Sequence, residues 1–244
     1  MKKLLFIFTI LSIFNTSCTE WDFYKDTERT TKETEELSSF QNILLDGLFI
    51  VDIYQDYENK AVLHGTADQL ENINIEINDQ TLHITCPPTR QWKSDYQKIQ
   101  LELHVGTITQ IENRQPVSIS AKDTLKGDKL RVLMLGELNE LNLLTDCKHL
   151  YFRNSLTSTG NITIRGKSQS SQIAIEGTTH LNAKEFITRE MFIIQYSTAD
   201  SYIYAEKELK VMSHGTGDVY YMGNPQKITT TLKSSGKVFP YDNN

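Results

Sequence analysis

An internal repeat in the second half of this chain constrains its fold more than any other feature. Ser158-Thr159-Gly160-Asn161-Ile162, Gly177-Thr178-Thr179-His180-Leu181 and Ser197-Thr198-Ala199-Asp200-Ser201-Tyr202 align with Gly215-Thr216-Gly217-Asp218-Val219 and Ser234-Ser235-Gly236-Lys237-Val238, at starts 19, 20, 18 and 19 residues apart. Each small, polar turn lies between β-type runs; Ile173-Ala174-Ile175, Phe192-Ile193-Ile194 and Leu209-Lys210-Val211-Met212 are three that precede one. Gly136, with Leu138 and Leu141, reads as an earlier, degenerate copy. A period near 19 without helical spacing predicts an all-β solenoid. Its short strands cannot bury their apolar faces alone, so successive coils stack and share a core. Gly, Ser and Thr then mark corners too tight for bulky side chains. Leucine-rich repeats have a similar length, but their Leu and Asn spacing is missing here. An antiparallel sandwich with evenly spaced hairpins is the rival reading.

The first half shows the same β texture with less regularity. Leu48-Phe49-Ile50-Val51-Asp52-Ile53-Tyr54 follows an Asp46-Gly47 turn, and Ala61-Val62-Leu63-His64 comes after a polar stretch. Ile73-Asn74-Ile75-Glu76-Ile77 alternates strictly, and Asn78-Asp79-Gln80 turns it into Leu82-His83-Ile84-Thr85-Cys86, which predicts a hairpin with one buried face. Residues 99–105 alternate again, and only residues 67–72 suggest a helical turn. We therefore expect a first β section over 38–128 and regular coils over 129–244, forming one continuous domain.

The N-terminus reads as an address. Lys2 and Lys3 precede an apolar run from Leu4 to Phe14, shorter than the roughly 20 residues a spanning helix needs. Asn15-Thr16-Ser17 then leads into Cys18. This resembles the lipobox of bacterial lipoproteins, in which a small residue precedes a cysteine that is cut free and diacylated. Asn15 stands where Leu is usual, and ordinary signal cleavage is the alternative. Residues 1–17 are thus read as a signal peptide and Cys18 as a lipid-anchored residue. Residues 18–37 are read as an acidic, disordered tether, too charged to offset its ordering entropy. Acidic residues just after such a cysteine resemble the surface-export signal of Bacteroidetes lipoproteins; a plain soluble spacer is the alternative.

Composition narrows the chemistry. With 31 Asp+Glu against 25 Lys+Arg and a net charge of −6, the chain lacks the basic balance of a nucleic-acid binder. Three cysteines cannot build a disulfide-dense scaffold or a four-cysteine metal site. Cys86 and Cys147 are left as a pair or as buried free thiols. Histidines 64, 83, 104, 149, 180 and 214 show no metal-ligand spacing, and His83 and His104 fall at outward strand positions. No cofactor or metal is expected. Glycosidic hydrolysis would need two carboxyls about 5–9.5 Å apart, and the candidates are Asp123, Asp128, Asp146, Asp200 and Asp218. A 19-residue stack brings Asp200 beside Asp218, yet both occupy corners where Asp serves the turn itself. Gly215-Thr216-Gly217 is followed by a strand, so no helix N-terminus awaits a phosphate. Tyr202, Tyr204, Tyr220, Tyr221, Phe239 and Tyr241 lie on successive post-corner strands. A ladder of outward rings there would either stabilise the coils or offer faces to sugars.

Phe40-Gln41-Asn42-Ile43, then Asp46-Gly47-Leu48-Phe49-Ile50-Val51-Asp52-Ile53, Leu82-His83-Ile84 and Gly215-Thr216-Gly217-Asp218-Val219-Tyr220-Tyr221-Met222-Gly223-Asn224-Pro225 together resemble the DUF2807 family, the "putative auto-transporter adhesin, head GIN domain" lipoproteins of Bacteroidetes. The resemblance covers about residues 38–239. It implies a right-handed β-helix-like fold on a lipidated, exported chain with no established enzymatic activity. Thr179-His180 and Ala199-Asp200 depart from the family's Ser-Gly-Ser-Gly corners. The resulting expectation is a non-catalytic, outer-membrane lipoprotein, surface-exposed or periplasm-facing, that binds or adheres. Its contact candidates are Tyr202, Tyr204, Tyr220 and Tyr221, and its partners a glycan or a cell-surface protein. A carbohydrate-active enzyme on a β-helix and a periplasmic protein-binding scaffold are the alternatives. An open coil end would leave strand edges for a homo-oligomer.

Overall fold

Alternation of apolar and polar residues becomes, in three dimensions, a stack of mostly parallel strands. The computed structural model describes residues 30–34, 36–87 and 98–241; the signal segment, Cys18 and residues 19–29 lie outside the described residues. The first strands are β1 (Thr30–Glu33), β2 (Asn42–Asp46), β3 (Phe49–Gln55) and β4 (Lys60–Gly65). A short helix, α1 (Ala67–Glu71), precedes β5 (Asn74–Asn78), β6 (Thr81–Thr85), β7 (Ile99–Val105), β8 (Gln110–Asn113) and β9 (Val117–Ala121). The regular part comprises β10 (Leu125–Met134), β11 (Leu138–Asn154), β12 (Thr159–Ile175), β13 (Thr178–Asn182), β14 (Phe186–Gln195), β15 (Ser201–Tyr204), β16 (Glu208–Ser213), β17 (Val219–Met222), β18 (Lys227–Leu232) and β19 (Val238–Pro240). Together they form a β-solenoid of about six turns.

Two parallel faces enclose the core. One runs β9, the start of β11, the start of β12, β13, β15, β17 and β19. The other runs β8 and then the ends of β10, β11 and β12, followed by β14, β16 and β18. The repeat read from the sequence coincides with this pairing residue for residue: Thr159 lies opposite Thr178, Leu181 opposite Ser201, Ser201 opposite Val219 and Val219 opposite Val238. Inward positions form continuous apolar columns. Ile111, Val132, Phe152, Ile173, Ile193 and Val211 sit on consecutive strands, each at most 1% exposed. Burying each such side chain contributes on the order of 1.5–3 kcal/mol.

One junction between the faces holds a polar column. Asn113 donates through Nδ2 to Asn139 Oδ1 at 2.8 Å, and Asn139 Nδ2 donates to Ser158 Oγ at 3.0 Å. Asn154 Nδ2 reaches Thr179 Oγ1 at 2.9 Å and the Glu176 carbonyl at 3.0 Å, while its Oδ1 accepts the Glu176 N–H at 2.8 Å. Ser201 donates to Gln195 Oε1, and Gln195 Nε2 to the Ala199 carbonyl. Gly177 turns this corner with a positive φ of 72°, and a Cβ there would lie 2.1 Å from the Ser158 carbonyl oxygen.

The first section follows different rules. The coil of β2 and β3 lies between that of β6 and β7 and that of β8 and β9, so the second coil in the chain stacks outside the first. The β5–β6 hairpin forms as expected, with Asp79 and Gln80 at positive φ in its turn. Helix α1 is capped by Thr66 and buries Leu70. Two expectations need correcting. The tether does not extend to residue 37, because Thr30–Glu33 pair antiparallel with β4, and strand hydrogen bonds order β-branched threonines that burial could not. The boundary at 128/129 falls inside β10, whose ladder to β11 runs through both sides. At the far end, β18 is exposed along its whole length; Ile228, opposite buried Leu209, is 42% exposed.

Candidate functional site

Strand alternation and the coil period together make the aromatic ladder. Tyr202 faces outward on β15, lies opposite Tyr220 on β17, and Tyr220 lies opposite Phe239 on β19. The Tyr202 and Tyr220 rings stack with centroids 5.1 Å apart and planes 13° apart, and Tyr220 and Phe239 stack at 5.7 Å. Tyr241 meets Tyr202 edge-on at 5.6 Å, and the Lys184 ammonium lies 5.4 Å from both of those ring centroids. Such offset and edge-on pairs contribute about 0.5–1.5 kcal/mol each beyond area burial. Tyr202, Tyr220 and Tyr241 are half-buried and Phe239 is exposed, so the ladder braces the last coils while staying accessible.

The other two tyrosines divide. Tyr204, opposite Met222, keeps the outward phase of Tyr202. Tyr221 does not: it lies opposite inward Ile203 and packs against the core, because one residue of phase moves a strand side chain to the other face. It leaves the outward set.

The corner carboxylates serve the fold. Asp200 Oδ1 accepts the Asp218 N–H at 2.9 Å, and Asp218 Oδ1 accepts the Lys237 N–H at 2.8 Å, one coil to the next. The pair does come together, but as a hydrogen-bonded turn ladder. Desolvation, then Asp200 and Asp218, push the Tyr220 phenol above its ordinary pKa. Asp128 bonds Lys148 at 2.7 Å, which holds its carboxyl below the usual range, and Asp146 pairs with Lys167 at 3.3 Å.

The outward histidines have partners. His83 lies 3.4 Å from Glu76, His64 lies 3.3 Å from Glu102, and His104 lies 3.3 Å from Asp56 while stacking on Tyr54. No group of three His, Cys, Asp or Glu side chains suited to a metal occurs among the described residues. Cys86 and Cys147 are both free and buried, and burial raises both thiol pKa values.

The sequence reading missed a groove of about 770 Å3 where the chain bends into the face of β14 and β16. Arg131, Tyr151, Gln172, Phe192 and Lys210 line it in one row, one residue per strand from β10 to β16. The signal was present: these residues recur 20, 21, 20 and 18 apart, the same period as the corners.

Comparison with known proteins matches this architecture. The family model DUF2807, "putative auto-transporter adhesin, head GIN domain", matches residues 39–225. A "putative adhesin" from Bacteroides fragilis superposes with a TM-score of 0.79 at 15% identity, covering 88% of this chain and 97% of its own. A "putative lipid binding protein" from Parabacteroides distasonis gives 0.64 at 14% identity, with the same coverage. A "putative adhesin" from Parabacteroides distasonis gives 0.65 at 15% identity, covering 88% and 98%. At these identities the likeness is one of fold. No curated protein matches the chain.

Proposed function

The chain belongs to the DUF2807 family, and from that premise we propose that it is a lipid-anchored, non-catalytic binding module of the cell envelope that adheres to a surface molecule. The observation that carries this reading is the stacked ladder of Tyr202, Tyr220 and Phe239, held at fixed spacing by parallel coils and partly exposed. A rigid row of aromatic and hydroxyl groups suits an extended ligand such as a glycan or a cell-surface protein. Asp200 and Asp218 each accept a backbone N–H of the next coil, which supports a role in the turn for that pair.

Cys18 carries the acyl anchor in this proposal, and residues 19–29 span the gap to β1. The protein is an outer-membrane lipoprotein that faces either the medium or the periplasm. Protease shaving of intact cells decides between these: loss of the protein places the solenoid outside, while protection until lysis places it in the periplasm and ends the adhesin reading. Purified protein should bind cells or their glycans without shortening the polymer. Release of new reducing ends would make it an enzyme instead. Tyr202→Ser with Tyr220→Ser should weaken binding; unchanged binding would reduce the ladder to a structural role.

A further inference from the structure

The groove along Arg131, Tyr151, Gln172, Phe192 and Lys210 has a chemistry distinct from the ladder, and it lies on the other face. Five adjacent strands about 4.8 Å apart give it a length near 19 Å, which suits a chain more than a compact ligand. Its two rings sit two strands apart. Arg131, from the strand beyond, lies over Tyr151 at 5.1 Å, and Lys210, from the strand beyond on the opposite side, lies over Phe192 at 4.8 Å. Each cation covers the outer face of its ring, so the inner faces turn toward β12. There the lining is the exposed Gln172 amide, opposite both rings, and Ser170, whose hydroxyl bonds the His149 ring at 2.7 Å; Ser171 faces inward and bonds Thr188.

An aromatic wall packs against the C–H face of a sugar ring, and an amide and hydroxyl floor satisfies its hydroxyls. The rim is too charged for an acyl chain. Lys129 and His149 continue it at one end, Glu190 and Glu208 at the other. Three lysine and arginine side chains against two carboxylates make the groove locally positive in a chain of net charge −6. Glu208 is already paired with Lys227, while Arg131 makes no ion pair among the described residues and Lys129 acts on Asp128 only at longer range. An arginine fork left unpaired beside an aromatic wall matches a carboxylate in a planar, bidentate manner.

We propose that this groove binds an acidic oligosaccharide. One sugar ring enters between Tyr151 and Phe192, its hydroxyls meet Gln172 and Ser170, and a sugar carboxylate meets Arg131 and Lys129. The proposal rests on the binding-module reading and names the ligand class for a second surface.

Calorimetric titration of the purified protein with galacturonate and hyaluronan hexamers, against neutral galactose oligomers, tests it. At least one acidic oligomer should bind at least tenfold more tightly than the neutral one, with affinity falling as salt rises. Arg131→Gln should cost about tenfold and flatten the salt dependence. Phe192→Ala should weaken acidic and neutral oligomers alike, and thermal melts should confirm that both variants fold. The proposal is overturned if no acidic oligomer binds at millimolar concentration, or if binding survives both substitutions unchanged. Cell binding that persists in Arg131→Gln and Phe192→Ala but disappears in Tyr202→Ser with Tyr220→Ser would sink the groove while leaving the adhesion reading intact. Loss of neither cell nor glycan binding in any variant would count against both.

Discussion

Replacing Asn154 with Ala tests whether the buried polar column holds the coils in register. The side chain is fully buried and makes three hydrogen bonds, two as donor to Glu176 O and Thr179 Oγ1 and one as acceptor from the Glu176 N–H. Alanine leaves that N–H without its acceptor and removes the donor from two oxygens. An unsatisfied buried group costs about 1–3 kcal/mol. Thr179 still donates to the Ser158 carbonyl, so its loss is the smallest. The total is about 3–5 kcal/mol, which for a domain of this size lowers Tm by roughly 10 °C. Urea unfolding followed by circular dichroism, with the slope unchanged, measures it. Asn142→Ala is the matched control: the same chemical change at an exposed position whose Oδ1 accepts from Arg165. It should stay within about 0.5 kcal/mol of the parent protein. Equal, small effects for the two variants would refute the idea that this column contributes more than packing.

Other perturbations probe separate links. Gly177→Ala, which forces a Cβ against the Ser158 carbonyl at a positive φ, should give little soluble protein; a melt close to the parent would show that the corner yields. Cys86 and Cys147, buried with raised thiol pKa values, should resist alkylation in the native protein at mildly alkaline pH and label in urea, as peptide mapping would show; native labelling of either contradicts its placement. The Tyr220 phenol should lose its proton at higher pH than a free tyrosine, by desolvation first and by Asp200 and Asp218 next. Asp218→Asn should move that midpoint down on an ultraviolet titration, and no movement would remove the carboxylate from the account. Cys18→Ala should abolish incorporation of labelled fatty acid, and retained label would place the anchor elsewhere.

The corners were legible because turn chemistry admits few residues, so Gly, Ser and Thr recur at the coil period whatever the strands carry. The polar column was harder to read, since a polar residue in a strand is ordinarily assigned to the wet face. Alternation nevertheless marks it: Leu150, Phe152 and Asn154 share one phase and are all buried. The same rule, applied strictly, separates Tyr220 from Tyr221. Stack order in the first section has no such signal. Nothing local to β2, β6 or β8 says that β2 lies between the other two, because all three are short alternating strands with equivalent inward faces. β1 was hidden for a related reason: its partner β4 is some 30 residues away, and charged flanks obscure four residues of edge strand.

Function in such a stack is confined to what the period leaves free. Inward rows are held by packing and corners by backbone approach, which leaves the outward rows free, and the register turns these into lines of side chains one strand apart. Two of these lines carry aromatic rings, yet they differ in kind. The ladder on β15, β17 and β19 places ring on ring, so its members support each other. The groove separates its rings by an entire strand and backs each with a cation, an arrangement that leaves ring faces without an aromatic neighbour. Ring-on-ring stacking braces the first row, and the second has only its cations to brace it. Because the two rows lie on opposite faces and share no contact, substitutions in one should add to substitutions in the other, both in stability and in binding. A non-additive result would mean that a single ligand spans the solenoid edge, touching both rows at once.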